Sequence, residues 1–398
     1  MLNRRHLLQS IGAVIVSAAA PRLTLARAPT DNKLVLVVLR GAVDGLALAA
    51  PYGDGNYHSL RGELALASPG AADGLLKLDG LFGLHPSLQN TYASFSAGEA
   101  SIVHAVASPY RERSHFDGQD LLETGANKVG DARDGWLNRA LAPLGGGIAG
   151  TPAIALAQNA PLVLRGDNPV TSWVPSQLPD ADEATLRRLQ DLYADDEFFA
   201  SRLRQALRSQ EIGDKAGSRR GARGNDAKQF ADLMTAAARF LSEDDGPAIA
   251  VTELGGWDTH ANQGAQTGTL ARRFTALDNG LGNLQRGLGR HWSSTVVVVV
   301  TEFGRTVRVN GTRGTDHGTG TAAIVMGGAV NGGKVIADWP GLGTQDLFAA
   351  RDLKPTTDLR SLFKTVLADH LQVPPDHLEK NVFPGSSAAK PMKNLINT

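Results

Sequence analysis

The chain has 398 residues, 42% of them hydrophobic, with 40 basic and 40 acidic side chains and no cysteine. That apolar content supports a large packed core and excludes a disordered chain, and the even charge balance argues against nucleic acid as a partner. Without cysteine there are no disulfides, thiolate metal sites or cysteine nucleophiles, so a metal must be held by Asp, Glu and His, ligands that suit Zn, Mg, Mn or Ca.

Residues 1–28 read as an export signal. Asn3-Arg4-Arg5-His6-Leu7-Leu8 is a twin-arginine pattern, Ile11 to Ala20 is apolar, and small residues follow at Ala26 and Ala28. The apolar stretch is too short to span a bilayer comfortably. The expectation is a periplasmic or extracellular protein passed through the twin-arginine machinery, with no transmembrane segment once the signal is removed. Removal takes four arginines and no acid, leaving 36 basic against 40 acidic residues.

Lys33 to Leu39 (KLVLVVL) is a continuous aliphatic run, the pattern of a strand buried on both faces of a parallel sheet. It leads to Asp44. Pro86 to Ala97 is predicted helical, with Leu88, Tyr92 and Phe95 on one face. Ser101 to Val106 is a second strand, followed by a helix from Ser114 to Glu123. Short strands are expected at 153–156 and 161–164, and a charged helical stretch at 180–210. Gly213 to Gly224 (GDKAGSRRGARG) has the composition of an exposed, mobile loop. Helix 227–241 precedes strand 248–252, helix 269–288 precedes the valine run Val296 to Val300, and Thr357 to Leu371 closes the chain as a helix. Strands alternating with helices predict an α/β fold, a mostly parallel sheet with helices on both faces. The organisation expected is a signal over 1–28 and one domain over 29–398, with a helical insertion at about 166–245.

Ligands in open α/β sheets gather at the carboxyl ends of the strands. Four strands have polar residues there: Asp44 after the first, Asp258 and His260 after strand 248–252, Glu302 after the valine run, and Asp316-His317 before the strand that begins near Ala322. Parallel strands share one carboxyl edge, so these groups can converge. His317, at the start of its strand, has to be carried over by loop 304–316, which Gly304, Gly311 and Gly314 leave free to bend. Each residue also has a plainer reading. Asp44 caps a helix, Asp258 and His260 brace a turn, or Glu302 pairs with Arg305. A second cluster, Ser108 to Asp117, holds Ser114 between Arg113 and His115 at a helix start, where positive potential favours an alkoxide and a bound anion. Its plainer reading is an ordinary helix cap. His85 and His104 read as structural, and Trp257 as a pocket wall.

LRGAVDGL (39–46), FGLHPSL (82–88), RSHFDGQ (113–119), GGWDTHANQ (255–263), VTEFGRTV (300–307), GTDHGT (314–319) and GGKVIADWPGL (332–342) together resemble a family of exported bacterial proteins, the domain of unknown function numbered 1501. More distantly the chain is similar to the alkaline phosphatase and sulfatase superfamily. That resemblance implies one or two divalent metal ions at the sheet's carboxyl edge, with Asp44, Asp258, His260, Glu302, Asp316 and His317 as metal ligands. It implies Ser114 as nucleophile, with Arg113 and His115 beside it, acting on a phosphate or sulfate ester. The chain departs from the superfamily pattern at Asp258-Thr259-His260, where Asp-x-x-x-His is usual, and at Phe303, where a metal-binding histidine is usual. A one-metal hydrolase, an altered two-metal site and a non-catalytic binding or assembly protein therefore all stand as readings.

Overall fold

The structure is a computed structural model and describes residues 31–144, 151–175, 183–215 and 226–397. The expected export signal lies outside them, as does the expected loop beyond its first three residues. Gly213 to Lys215 belong instead to the end of a helix, Glu197–Lys215, where Gly213 packs against Trp173. No helix among the described residues is long and apolar enough to cross a membrane.

Among the described residues, nine strands form one sheet: β1 (Lys33–Leu39), β2 (Ala100–Ala107), β3 (Ala153–Ala155), β4 (Thr171–Ser172), β5 (Ile249–Leu254), β6 (Thr295–Thr301), β7 (Thr321–Met326), β8 (Lys334–Ile336) and β9 (Thr357–Asp358). Their order is β8-β2-β7-β6-β1-β5-β3-β4, and β9 also pairs with β2. All pairings are parallel except those of β7, which runs antiparallel to both β2 and β6. This is the expected α/β fold with one reversed strand.

The valine run shows why the sheet must be covered twice. Val297 and Val299 join Val35 and Val37 in a core closed by helices Asp226–Ser242 and Thr269–Leu288. Val296, Val298 and Val300 join Leu34, Leu36 and Val38 on the other face, under Trp136, Phe363 and Leu367. Each fully buried valine contributes roughly 1.5–3 kcal/mol of transfer free energy, so neither face tolerates water. The expected strand at 161–164 is instead a single tight turn, Leu162–Leu164. The amides of Leu164 and Arg165 bond back to the carbonyls of Pro161 and Leu162, and Val163 N–H is taken by the side chain of Glu123.

Four of the segments that matter leave the sheet at one rim. Leu39 is in register with both Leu254 and Thr301, and Thr321, the first residue of β7, with Val106 near the end of β2. Because β7 is reversed, its beginning lies at the carboxyl rim of its neighbours. No long loop is needed to bring His317 across, contrary to the expectation from sequence. Arg305 and His317 are directly paired across this reversal.

Candidate metal centre

Three imidazoles meet in front of one carboxylate at this rim. His260 Nε2 lies 3.0 Å and His317 Nε2 3.2 Å from Asp258 Oδ1, and the two nitrogens are 2.9 Å apart. His115 Nε2 is 3.5 Å from Asp258 Oδ2. His115, Asp258 and His317 each offer a ligand atom within 4.8 Å of the others.

Each ring is held from behind by its other nitrogen. His115 Nδ1 is 2.8 Å from Glu302 Oε1, His260 Nδ1 is 3.1 Å from Asp316 Oδ1, and His317 Nδ1 is 2.9 Å from the carbonyl oxygen of Arg113. All three partners are acceptors, so in the neutral rings each Nδ1 carries the proton and each Nε2 presents a bare lone pair. Lone pairs converging on a carboxylate repel unless a cation or a proton lies between them. His115 Nε2 is in addition buried with no hydrogen-bond partner among the described residues. Three imidazoles and one carboxylate are a donor set that fits a borderline divalent ion such as zinc.

Local sequence explains each placement. His115 opens helix His115–Thr124, whose carboxyl end stops at Gly125 in a left-handed conformation. Glu302 follows the last residue of β6 and is fully buried. Its Oε1 also accepts from Gly41 N at 2.9 Å and Gln119 Nε2 at 3.2 Å, and its Oε2 from Thr301 Oγ1 at 2.8 Å. Gly41, at φ +120°, is required there: a Cβ would stand 2.7 Å from the amide nitrogen of Asp258. Phe303, buried, stacks on His115 with centroids 5.0 Å apart and an interplanar angle of 26°.

The electrostatics follow from these contacts. Burial pushes the Glu302 carboxyl up, but the His115 hydrogen bond and its other donors outweigh this and hold it below the usual range. The same bond to Glu302 raises the pKa of His115 above the ordinary imidazole value, against the opposing effect of burial. Burial lowers His317. Asp258 is pushed up by burial, yet falls below the usual carboxylate value because Arg305 Nη1 donates to its Oδ1 at 2.6 Å.

Not every residue expected at the site sits in this ring. Asp44 is buried behind it as the N-cap of a short helix, Gly45–Leu48, and is ion-paired to the fully buried Arg61. Gln263 Nε2 donates at 2.6 Å to Oδ2, the oxygen that Arg61 also holds, while Oδ1 accepts from the amides of Leu46 and Ala47. With its lone pairs occupied, Asp44 is placed as a structural cap. Glu302 and Asp316 stand behind imidazoles, Glu302 with both oxygens engaged by donors and Asp316 with Oδ1 held by His260 and Asn310, while His115, expected beside the serine, faces into the ring. Arg113 gives its Nε and Nη2 to the fully buried Asp352, each at 2.8 Å, so its guanidinium is already matched to a carboxylate. Ser114 precedes His115 directly. Its amide donates to the Tyr110 hydroxyl at 2.9 Å, and its side chain makes no capping bond.

Gln263 was missed from sequence, and Arg305 was expected only as a partner of Glu302. Arg305 pairs with Asp258, not Glu302, and its Nε reaches Thr315 Oγ1 at 3.2 Å. Gln263 Oε1 accepts from Thr315 Oγ1 at 2.7 Å and from Thr259 Oγ1 at 2.8 Å. A buried polar chain thus runs from Asp44 through Gln263, Thr315 and Arg305 to Asp258. The only signal was the density of hydrogen-bonding residues in THANQ and GTDHGT. Trp257, expected in a pocket wall, is fully buried against Phe274 and donates to the Leu254 carbonyl. His85 and His104 are buried with both nitrogens bonded, and burial lowers each to about 4.

The chain is similar to several solved structures. With the phosphonate monoester hydrolase of Agrobacterium radiobacter it shares 13% identity over 86% of this chain and 74% of that one, with a TM-score of 0.38. With the PsFucS1 sulfatase from Pseudoalteromonas sp. the values are 11%, 92%, 72% and 0.39. With the C-terminal periplasmic domain of EcEptC from Escherichia coli, in complex with Zn, they are 9%, 93%, 90% and 0.38. At these scores the likeness carries no statement about the reaction. No curated protein matches the chain. The family model described as "Protein of unknown function (DUF1501)" matches residues 31–382, and the chain belongs to that family.

Proposed function

We propose that this chain is an exported metal-dependent hydrolase of phosphate or sulfate esters, with one metal position formed by His115, Asp258, His260 and His317. The observation that carries the reading is the convergence of three Nε2 lone pairs on Asp258, each ring fixed from behind by an acceptor. A divalent ion held there would polarise a substrate oxygen and lower the pKa of a coordinated water or hydroxyl.

The chain's own residues do the rest. Glu302, Asp316 and the Arg113 carbonyl keep the Nδ1 protons outward, so the rings cannot flip away from the centre. Arg305 keeps Asp258 ionised and aimed. Ser114, beside His115 in the positive potential of a helix start, supplies the attacking hydroxyl. Export rests on the twin-arginine pattern at Arg4-Arg5.

The test is metal analysis of the purified protein, with aryl phosphates and aryl sulfates as substrates and Ser114→Ala and His317→Ala as controls. The expected result is bound metal that His317→Ala loses, and turnover that both variants abolish. A metal-free protein whose trace activity ignores both substitutions overturns the reading. The second reading, a non-catalytic binding or assembly protein, is favoured by Phe303 at a usual ligand position. Stoichiometric metal without turnover of either ester class would support it.

A further inference from the structure

Arg351 Nη2 donates to the backbone carbonyl of His317 at 2.9 Å, and Nη1 is 3.3 Å from Asp352 Oδ1. Its side chain keeps 41% of its surface exposed. The other two arginines bonded to the cluster are committed: Arg305 is buried on Asp258, and Arg113 is matched to Asp352. A guanidinium has five N–H donors, so Arg351 retains donors directed to solvent beside His317.

The backbone that presents it is strained. Phe348 and Asp352 exchange backbone hydrogen bonds at 2.8 and 3.0 Å, closing a three-residue loop of Ala349, Ala350 and Arg351. Ala349 and Ala350 both take positive φ, +53° and +52°, the left-handed region that a β-carbon disfavours. Two consecutive left-handed alanines persist only where the surroundings impose them. Here Arg113 and Arg351 both reach the buried Asp352 and fix the loop from below.

We propose that Arg351 is the anion-recognising residue of this site, donating to a non-bridging oxygen of a tetrahedral oxyanion, phosphate or sulfate, bound beside His317. The assignment rests on the hydrolase reading for the identity of its ligand. Arg113, expected beside Ser114, is committed to Asp352, so the anion contact falls to Arg351. A planar guanidinium with donors still free suits such an oxyanion better than a point charge.

Inorganic phosphate and, separately, inorganic sulfate are titrated calorimetrically into the protein as purified and into Arg351→Gln and Arg351→Lys. Metal content and melting temperature are measured on the same samples. The expected result is at least a tenfold loss of affinity for one or both anions in Arg351→Gln, a smaller loss in Arg351→Lys, and unchanged metal content. Whichever anion responds names the ester class. Equal anion affinity in all three proteins, or no binding by the unsubstituted one, overturns the proposal. The two readings separate cleanly. Ester turnover with an anion affinity that ignores Arg351→Gln sinks only this assignment. A metal-free, inactive protein whose phosphate affinity still falls in Arg351→Gln sinks only the hydrolase.

Discussion

Glu302 Oε1 stands 2.8 Å behind Nδ1 of His115, so the carboxylate that ends the valine strand faces the back of an imidazole, not the centre of the site. The imidazole in turn offers its buried, unpartnered Nε2 to Asp258 and His317. Glu302→Gln keeps the shape but turns a strong acceptor into a weak one. Metal affinity is expected to fall about 10–100-fold, as for other partners that orient a ligating histidine. Competition against a chelator of known strength measures this. An affinity identical to that of the unsubstituted protein would remove Glu302 from the site's workings.

The same pair predicts an acid-sensitive centre. His115 titrates above the ordinary imidazole value of about 6.5 because Glu302 stabilises its charged form. A proton and a metal compete for Nε2, so metal affinity should fall as pH drops through this raised value, earlier than for an ordinary histidine. The metal-free protein has the opposite sign at this residue. The contribution of His115 to folding is fully present below the unfolded value and is lost as pH rises through the raised one. Titration of the His115 ring by NMR in metal-free protein, with and without Glu302→Gln, checks both. The midpoint should move down in the variant.

Asp44 should matter for folding and not for ligation. Its carboxylate pairs with Arg61, and both side chains are almost wholly removed from solvent. Asp44→Asn leaves a buried guanidinium without its counter-charge, which costs about 3–5 kcal/mol. Urea unfolding should show that loss, while metal bound per folded molecule stays the same. If metal disappears from protein that remains folded, Asp44 belongs to the centre after all.

Phe303 can be pushed from behind. A Cβ at Gly118 would lie 2.8 Å from one Phe303 ring carbon and 2.9 Å from another. Gly118→Ala should therefore cost about 1–3 kcal/mol by overpacking. Since Phe303 stacks on His115, it should also weaken metal binding. Melting temperature and chelator competition on the same samples test the two effects together.

The long strands β1, β2, β5 and β6 were legible because long aliphatic runs have few alternatives, and the valine run became β6 within a residue of its expected bounds, whereas the short β4, β8 and β9 left no such run to read. The direction of β7 was not legible: an apolar hexapeptide reads the same whichever way it crosses the sheet. That one ambiguity made His317 look remote when it begins at the rim. Asp258, His260 and His317 were legible as polar residues at strand ends. The difference between a residue that faces the centre and one that stands behind it was not. Which of Glu302 and His115 faces the centre is decided by side-chain torsions that no spacing rule encodes. Partners such as Gln263 and Arg305 act through buried hydrogen bonds, which leave no periodic trace in a sequence.

Residues 302–320 leave the rim and return to it as a flap, anchored at both feet by sheet pairing and by the Arg305–His317 bridge. Its outermost turn, Gly311 to Arg313, is exposed. Thr312 Oγ1 nevertheless donates to the His260 carbonyl at 2.6 Å, and the Thr312 and Arg313 carbonyls accept from the amides of Asn262 and Gln263 at 3.0 Å each, so the tip buckles the flap to the loop that carries Asp258 and His260.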